Sequence, residues 1–460
     1  MASLRRALGL GYATLFGIGL ILGAGNYVLV GRAIGLVGDA GWVSAALAGV
    51  IALTVAFSYA ELAGMFPYDS SVYRYVVEAF PRFKLLAFLA GWFLFFGAAA
   101  GASTDAIGFS NHVAQLTGRS DLVLPVALLL LASLTVLNWW GIEESALFAA
   151  ILTLVELFGL GLVVVAGALW PTRSANYASF NPTVNPLGAI MAGAAILYFA
   201  CSGFELQPTL CEETRDAERN VPKAIVLSVA IVAGVTVALS LSLVRLMSWE
   251  EVGASRAPLI DAAARAIPQA AQLLMLIALS ATANSALGYM VAASRLLYGL
   301  SLEEVTWRKL GSVCRWRRTP HYSVALSGLM AIAIVALNEL LPAATGWRPR
   351  INGFEYQLID LVGKTASLAM LLASLLVNFS LIALRLKAPH LQRHYRTPLN
   401  VGSLPLLPLA SSGLIAAFII AGFNDWAVWL STALVTALGL LLYRGADRRV
   451  APRSCAGQPF

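Results

Sequence analysis

The chain has 460 residues, of which 59% are hydrophobic and only 12% charged, with a mean hydropathy of +0.77 and a formal net charge of +7. A soluble domain carries roughly 25% charged residues, so the composition argues against an ordinary soluble enzyme or nucleic-acid-binding domain. Windows of about 20 apolar residues, the length that crosses a hydrocarbon core of ~30 Å, recur along the whole chain. They are centred near residues 23, 52, 98, 130, 157, 197, 233, 280, 331, 371, 413 and 434. The expectation is an all-α membrane protein with twelve transmembrane helices in one domain, residues 1–460.

The first run, GIGLILGAGNYVLVG (17–31), places Gly19, Gly23 and Gly25 within seven positions. A helix there should loosen, and it reads as a span rather than a signal peptide because it lacks a small-residue cleavage site and spans follow it. The sixth run, YFACSGFELQP (198–208), is interrupted in the same way. Irregular backbone at membrane depth is tolerated only where protein buries it or it lines a cavity. Two such breaks in matching places of two repeats point to a transporter substrate site. Spans 1–5 (residues 10–170) and 6–10 (186–388) are expected to form inverted repeats, since five is odd and the second set starts from the opposite side. Spans 11 and 12 (403–446) would be peripheral. Of the connections, the outer loop 248–269 has helical spacing of Val252, Leu259, Ile260, Ala263 and Ile267, and the inner loop from Glu303 to His321 is expected to be similarly amphipathic.

With the N-terminus inside, the inner loops and both tails hold 22 Lys and Arg, Arg295 and Arg385 counted among the loop charges, the outer loops hold 8, and Lys364 falls inside a span. That asymmetry is the positive-inside rule, so both ends are expected in the cytoplasm. The basic loops then face anionic lipid, and no nucleic-acid partner is needed. Of the four cysteines, Cys201 and Cys211 belong to span 6, Cys314 to an inner loop and Cys455 to the tail. None lies in an outer loop, so no disulfide-linked partner subunit is expected. His390 and His394 have an i, i+4 spacing, but the basic RLKAPHLQRHYR around them would repel a metal ion. Neither a metal nor a cofactor is expected.

An ionisable group at mid-membrane is costly and marks a pathway or relay by default. Glu156 lies about 12 residues, or ~18 Å, from the inner end of span 5. It is a candidate proton carrier, a cation ligand with Ser280 or Thr282, or a neutral packing group. Glu205 follows the break in span 6 and either senses protons or caps freed N–H groups. Asp105 and Lys364 both fall in the outer half and would tolerate burial as a pair, meeting across the outer vestibule as a gate or as a filter for substrate charge. Glu61 is expected to pair with an inner-loop arginine.

Five fragments in order resemble the amino acid–polyamine–organocation transporter superfamily over about residues 10–410. They are GIGLILGAG, SYAELAGMFPYDSSVYRYVVEAF, YFACSGFELQPTLCEETRDAERNVPKAI, ANSALGYMVAASRLLYGLS and VNFSLIALRLKAPHLQRHYRTPLN. In the second, Ser70 and Ser71 stand where the family has two glycines. The resemblance implies a five-plus-five inverted-repeat (LeuT-like) fold with spans 1 and 6 unwound at mid-membrane. It implies alternating-access transport of an amino acid, by proton symport or exchange, at the plasma membrane. Ile21, Gly23, Ala24, Gly25 and Asn26 would contribute N–H groups and a half-helix dipole for the substrate carboxylate. Phe199, Ala200, Cys201, Ser202 and Gly203 would offer carbonyls to its ammonium, with Phe199 in the place of an aromatic lid. Many relatives carry lysine where Glu156 stands, so the lysine mechanism does not transfer. The expected substrate is a neutral or apolar amino acid, in a pocket shaped by Cys201, Ser202 and Asn26. The alternatives are a cationic amino acid or polyamine antiporter, using Glu156, Glu205 and Asp105, and a non-transporting sensor. No nucleophile elbow, metal triad or phosphate loop points to an enzyme.

Overall fold

The computed structural model describes residues 4–255, 257–345, 350–351, 354–355, 358–423 and 426–443. The described chain is almost entirely helical: α1 (Leu10–Val37), α2 (Gly41–Met65), α3 (Val72–Ala79), α4 (Lys84–Thr117), α5 (Val123–Trp140), α6 (Ile142–Leu169), α7 (Pro186–Ala200) and α8 (Ala217–Leu246). After these come the short α9 (Trp249–Ala254) and α10 (Pro258–Ala266), then α11 (Ala270–Leu302), α12 (His321–Thr345), α13 (Leu358–Lys387), α14 (Leu406–Gly422) and α15 (Trp426–Leu442). A 3-10 segment, Phe204–Glu213, follows α7, and two minimal hairpins pair residues 350–351 with 354–355 and 400–401 with 404–405.

Eight of the described helices are long and apolar enough to cross a membrane, or nine if α1 counts as one span across its 55° bend. Three further apolar helices, Pro186–Tyr198, Leu406–Ile420 and Trp426–Leu442, are shorter. Large apolar side chains such as Leu129, Phe158 and Leu187 are exposed on α5, α6 and α7. Isolated exposed apolar residues are common on any protein, but rows of them along helices this apolar suit a hydrocarbon solvent. The most extensive packing joins α2 to α8, α4 to α11 and α13, and α1 to α7, α8 and α11. α1 is therefore held on several sides, as a broken helix requires if its freed backbone groups are to find partners.

The connections follow from local chemistry. In the loop 248–269 the apolar spacing yields two short helices, and α9 opens on a capping box, with Ser248 accepting from the Glu251 N–H and Glu251 accepting from the Ser248 N–H. Val252, Leu259 and Ala263 are buried, as their spacing requires. The loop between α11 and α12 is different: its only helix among the described residues is the 3-10 turn Arg308–Gly311. Pro320 and the positive φ of Glu304 and Arg318 interrupt the amphipathic pattern read from sequence. The loop at 171–186 is tied to the end of α1 by Arg173, which forks onto Asp39 with two bonds of 3.0 Å.

Candidate functional site

The break in α1 is local. Gly23 has φ 14° and ψ −171°, outside the helical region, with helix on either side. Bulk from two helices lies against it. A Cβ built on Gly23 would lie 2.7 Å from Ser285 Oγ of α11 and 3.8 Å from Asp105 Oδ2 of α4. One turn earlier, a Cβ on Gly19 would lie 2.5 Å from both Asn284 Nδ2 and Thr153 Oγ1. Those two atoms are themselves bonded, with the Asn284 amide donating to the Thr153 hydroxyl at 2.9 Å. The glycines of span 1 thus serve close approach as much as unwinding.

The second break packs on the turn of α1 before the first. α7 ends at Ala200, and Gly203 takes φ 118°, which glycine alone adopts without strain. A Cβ there would sit 2.7 Å from the Leu20 carbonyl oxygen and 3.5 Å from Ile21 Cα. Glu205, buried, accepts the Gly203 N–H at 2.7 Å, so its carboxylate caps the break. Beyond it the chain continues as a 3-10 helix containing Pro208. Gln207 in that segment donates to the Ala13 carbonyl at 2.8 Å and accepts from Ser228 at 3.0 Å, stitching both broken spans to α8. The thiol of Cys201 meets the Thr236 hydroxyl on α8. Ser202 is half-buried at the junction. Ala24, Gly25, Asn26 and Phe199 lie outside the residues whose side chains are described.

Glu156 is fully buried on α6, one turn after Thr153, and neither carboxylate oxygen has a hydrogen-bond partner. The like charge of Asp105 acts on it, and Glu156 in turn acts on Tyr27, whose buried hydroxyl is also without a partner. The Ser280 and Thr282 hydroxyls donate to Ile277 and Leu279 carbonyls of their own helix, so neither reaches Glu156 in this conformation. Asp105 is buried against Gly23, whereas Lys364 is exposed on α13. Sequence reasoning passed over Asn284, Ser285, Thr153 and Gln207. The ANS triplet at 283–285 was the available signal for the first two.

Toward the N-terminal end of α1, a second polar cluster closes the molecule. Arg295 and Glu213 form a fully buried fork, with bonds of 3.0 and 3.1 Å, and Arg295 also reaches Asn138 and Ser294. Asp69 accepts the Glu212 N–H at 2.8 Å. Glu61 pairs with Arg385 and Arg393 and accepts the Thr397 N–H, so it has the arginine partner expected of it, in the loop after α13, and a second within that helix. Arg295 and Arg385, counted as loop charges from sequence, are in fact buried within α11 and α13. Ser71 keeps a positive φ of 38° at a position where glycine is the unstrained choice.

A bent apolar helix, met by a second interrupted helix and ringed by buried polar groups, has the architecture of a membrane transporter. The sequence profile described as "Amino acid permease" matches residues 8–440. The chain belongs to the amino acid permease family. It is 24% identical to a branched-chain amino acid permease, BcaP, of Bacillus subtilis over 96% of its own length and 93% of that protein. Identity and coverage are the same for a methylthioribose transporter of Bacillus subtilis. It is 28% identical to the vacuolar cationic amino acid transporter 4 of Arabidopsis thaliana over 72% of its own length and 59% of that protein.

Proposed function

We propose that the protein is a secondary active transporter that carries neutral or apolar amino acids with protons across the plasma membrane by alternating access. One observation carries the reading: the Gly203 break packs on the last turn of α1 before its bend, so closely that a Cβ placed on Gly203 would lie 2.7 Å from the Leu20 oxygen. The outer half-helix Tyr27–Val37 begins just beyond the bend, and the positive end of its dipole suits a carboxylate. Where α7 ends, at Ala200, carbonyls released from the helix would suit an ammonium group. Backbone reads the zwitterion, and side chains around it set selectivity.

On this reading the chain crosses the membrane twelve times with both termini in the cytoplasm, α14 and α15 being peripheral. The order of elements supports an inverted repeat of residues 10–170 and 186–388: a broken span leads each half, and short helices follow the second span of each, α3 in one and α9–α10 in the other. Glu156 is the proton carrier. With both oxygens lacking partners in a fully buried setting, it must hold a proton or receive a cation. Asp105 and Lys364 form the outer gate, meeting as the vestibule closes. A second reading, exchange of a cationic amino acid, is favoured by the buried carboxylates Glu156 and Asp105 beside the break.

Uptake of radiolabelled amino acids into proteoliposomes tests both. A proton gradient should drive accumulation by the native protein and not by Glu156→Gln. Uptake that instead requires an internal counter-substrate, preferring lysine or arginine and blind to the gradient, selects exchange and removes Glu156 from coupling.

A further inference from the structure

The loop entering α12 carries a cationic surface that the transport reading leaves unused. Residues 314–319 close on themselves, the Cys314 N–H donating to the Thr319 carbonyl at 2.9 Å and the Arg318 N–H to the Cys314 carbonyl at 2.8 Å. The turn is then pinned to the end of α5, because buried Thr319 donates to the Trp139 carbonyl at 3.1 Å. This rigid turn displays Arg315, Trp316, Arg317 and Arg318, all exposed, with Trp316 at 94%. Arg317 lies over the Trp140 ring, 5.2 Å from its centroid. Among the described residues none of the three arginines has an acidic partner. The two acids at the start of α6, which follows Trp140 directly, are otherwise engaged: Glu143 pairs with Arg5 at 2.8 Å, and Glu144 folds back over Gly141.

Two further features converge on the same spot. α12 begins at His321 and adds the positive end of a 25-residue helix. Trp139, Trp140 and Tyr322, all exposed, crown the ends of α5 and α12, with the Trp139 and His321 rings stacked between them. Tryptophan and tyrosine collect at the headgroup level of a bilayer, and guanidinium groups grip phosphate oxygens in pairs. Below the rings, Val136 of α5 and Leu329 of α12 present exposed apolar surface. A cationic crown above an apolar wall matches an amphiphile rather than a soluble anion.

We infer that the Arg315–Arg318 turn, with Trp139, Trp140 and Trp316, is a binding site for the phosphate headgroup of an anionic phospholipid whose chains lie along α5 and α12. The inference rests on α5 and α12 crossing a bilayer, and on nothing about which amino acid is carried. Three arginines at about fivefold each give an affinity gain on the order of 100-fold over a zwitterionic lipid.

Native mass spectrometry of the full chain in detergent, titrated with phosphatidylglycerol or phosphatidylcholine, tests it without any transport assay. The native protein should retain phosphatidylglycerol preferentially. The triple variant Arg315→Gln, Arg317→Gln, Arg318→Gln should lose that preference, the triple arginine-to-lysine variant should keep most of it, and Arg119→Gln, a surface control paired with Asp121, should not change it. Equal retention of both lipids by the native protein, or an unaltered preference in the glutamine triple, would overturn the assignment. Displacement of the lipid by millimolar inorganic phosphate would also overturn it, by making the site one for a free anion.

Discussion

Replacing Arg295 with methionine should be among the most damaging single changes in the protein. The guanidinium is fully buried, spends two bonds of 3.0 and 3.1 Å on Glu213, and its remaining nitrogen reaches Asn138 of α5 and the adjacent Ser294. It thereby ties α5, α11 and the 3-10 segment into one cluster. Methionine fills most of the volume but leaves Glu213, also fully buried, as an uncompensated carboxylate near Asp69 and Glu212. Breaking one side of a buried pair costs about 3–5 kcal/mol, whereas replacing both members with apolar groups is often close to neutral. Arg295→Met is therefore expected to lose about 3–5 kcal/mol, and Arg295→Met with Glu213→Leu to recover most of it. The difference can be read from denaturant unfolding of the purified protein in detergent, followed by tryptophan fluorescence. If the double variant is as unstable as the single one, stranded charge is not the cause and the argument from desolvation fails.

Two other outcomes follow from the geometry. Gly203→Ala should cut uptake at least tenfold, because its φ of 118° costs a side chain about 1–3 kcal/mol and the new methyl would press within 2.7 Å of the Leu20 oxygen; Gly161→Ala, with open space around it, should transport normally. Asp69, in the turn between α2 and α3, is held above the ordinary carboxylate range, first by burial and then by the charges of Glu212 and Glu213. A carboxyl raised in this way gives stability that is full below its unfolded value and lost as pH rises through the folded one. Asp69→Asn keeps an acceptor for the Glu212 N–H and removes the titration, so its melting temperature should decline less than the native protein's between mildly acidic and neutral pH. Parallel melting curves would exclude Asp69 as the titrating group.

Several site elements were legible in the residues alone. Gly23 was marked by glycine density and is where α1 leaves helical geometry. The CSG step at 201–203 was marked by the interrupted run, and Gly203 takes the one backbone conformation there that needs glycine. Glu61 was expected to find an inner-loop arginine and holds two arginines. These features are local: hydropathy, glycine spacing and the cost of an intramembrane charge act on a segment wherever it later packs.

Partnership is different, because it joins positions far apart in the chain. Nothing local to Gly19 announces that the Asn284–Thr153 bond will pack on it, across 131 residues. A count of cationic residues assigned Arg295 to an inner loop, since charge has a sign in sequence but no address; folding buried it against Glu213. Glu205 carried two readings until the Gly203 N–H was found 2.7 Å from it. The sequence by itself determined that this chain is helical and apolar, and that two of its runs break. Only the tertiary structure decided that the second break packs beside the first and which buried charges are matched, because close packing and desolvation are properties of neighbours brought together in space.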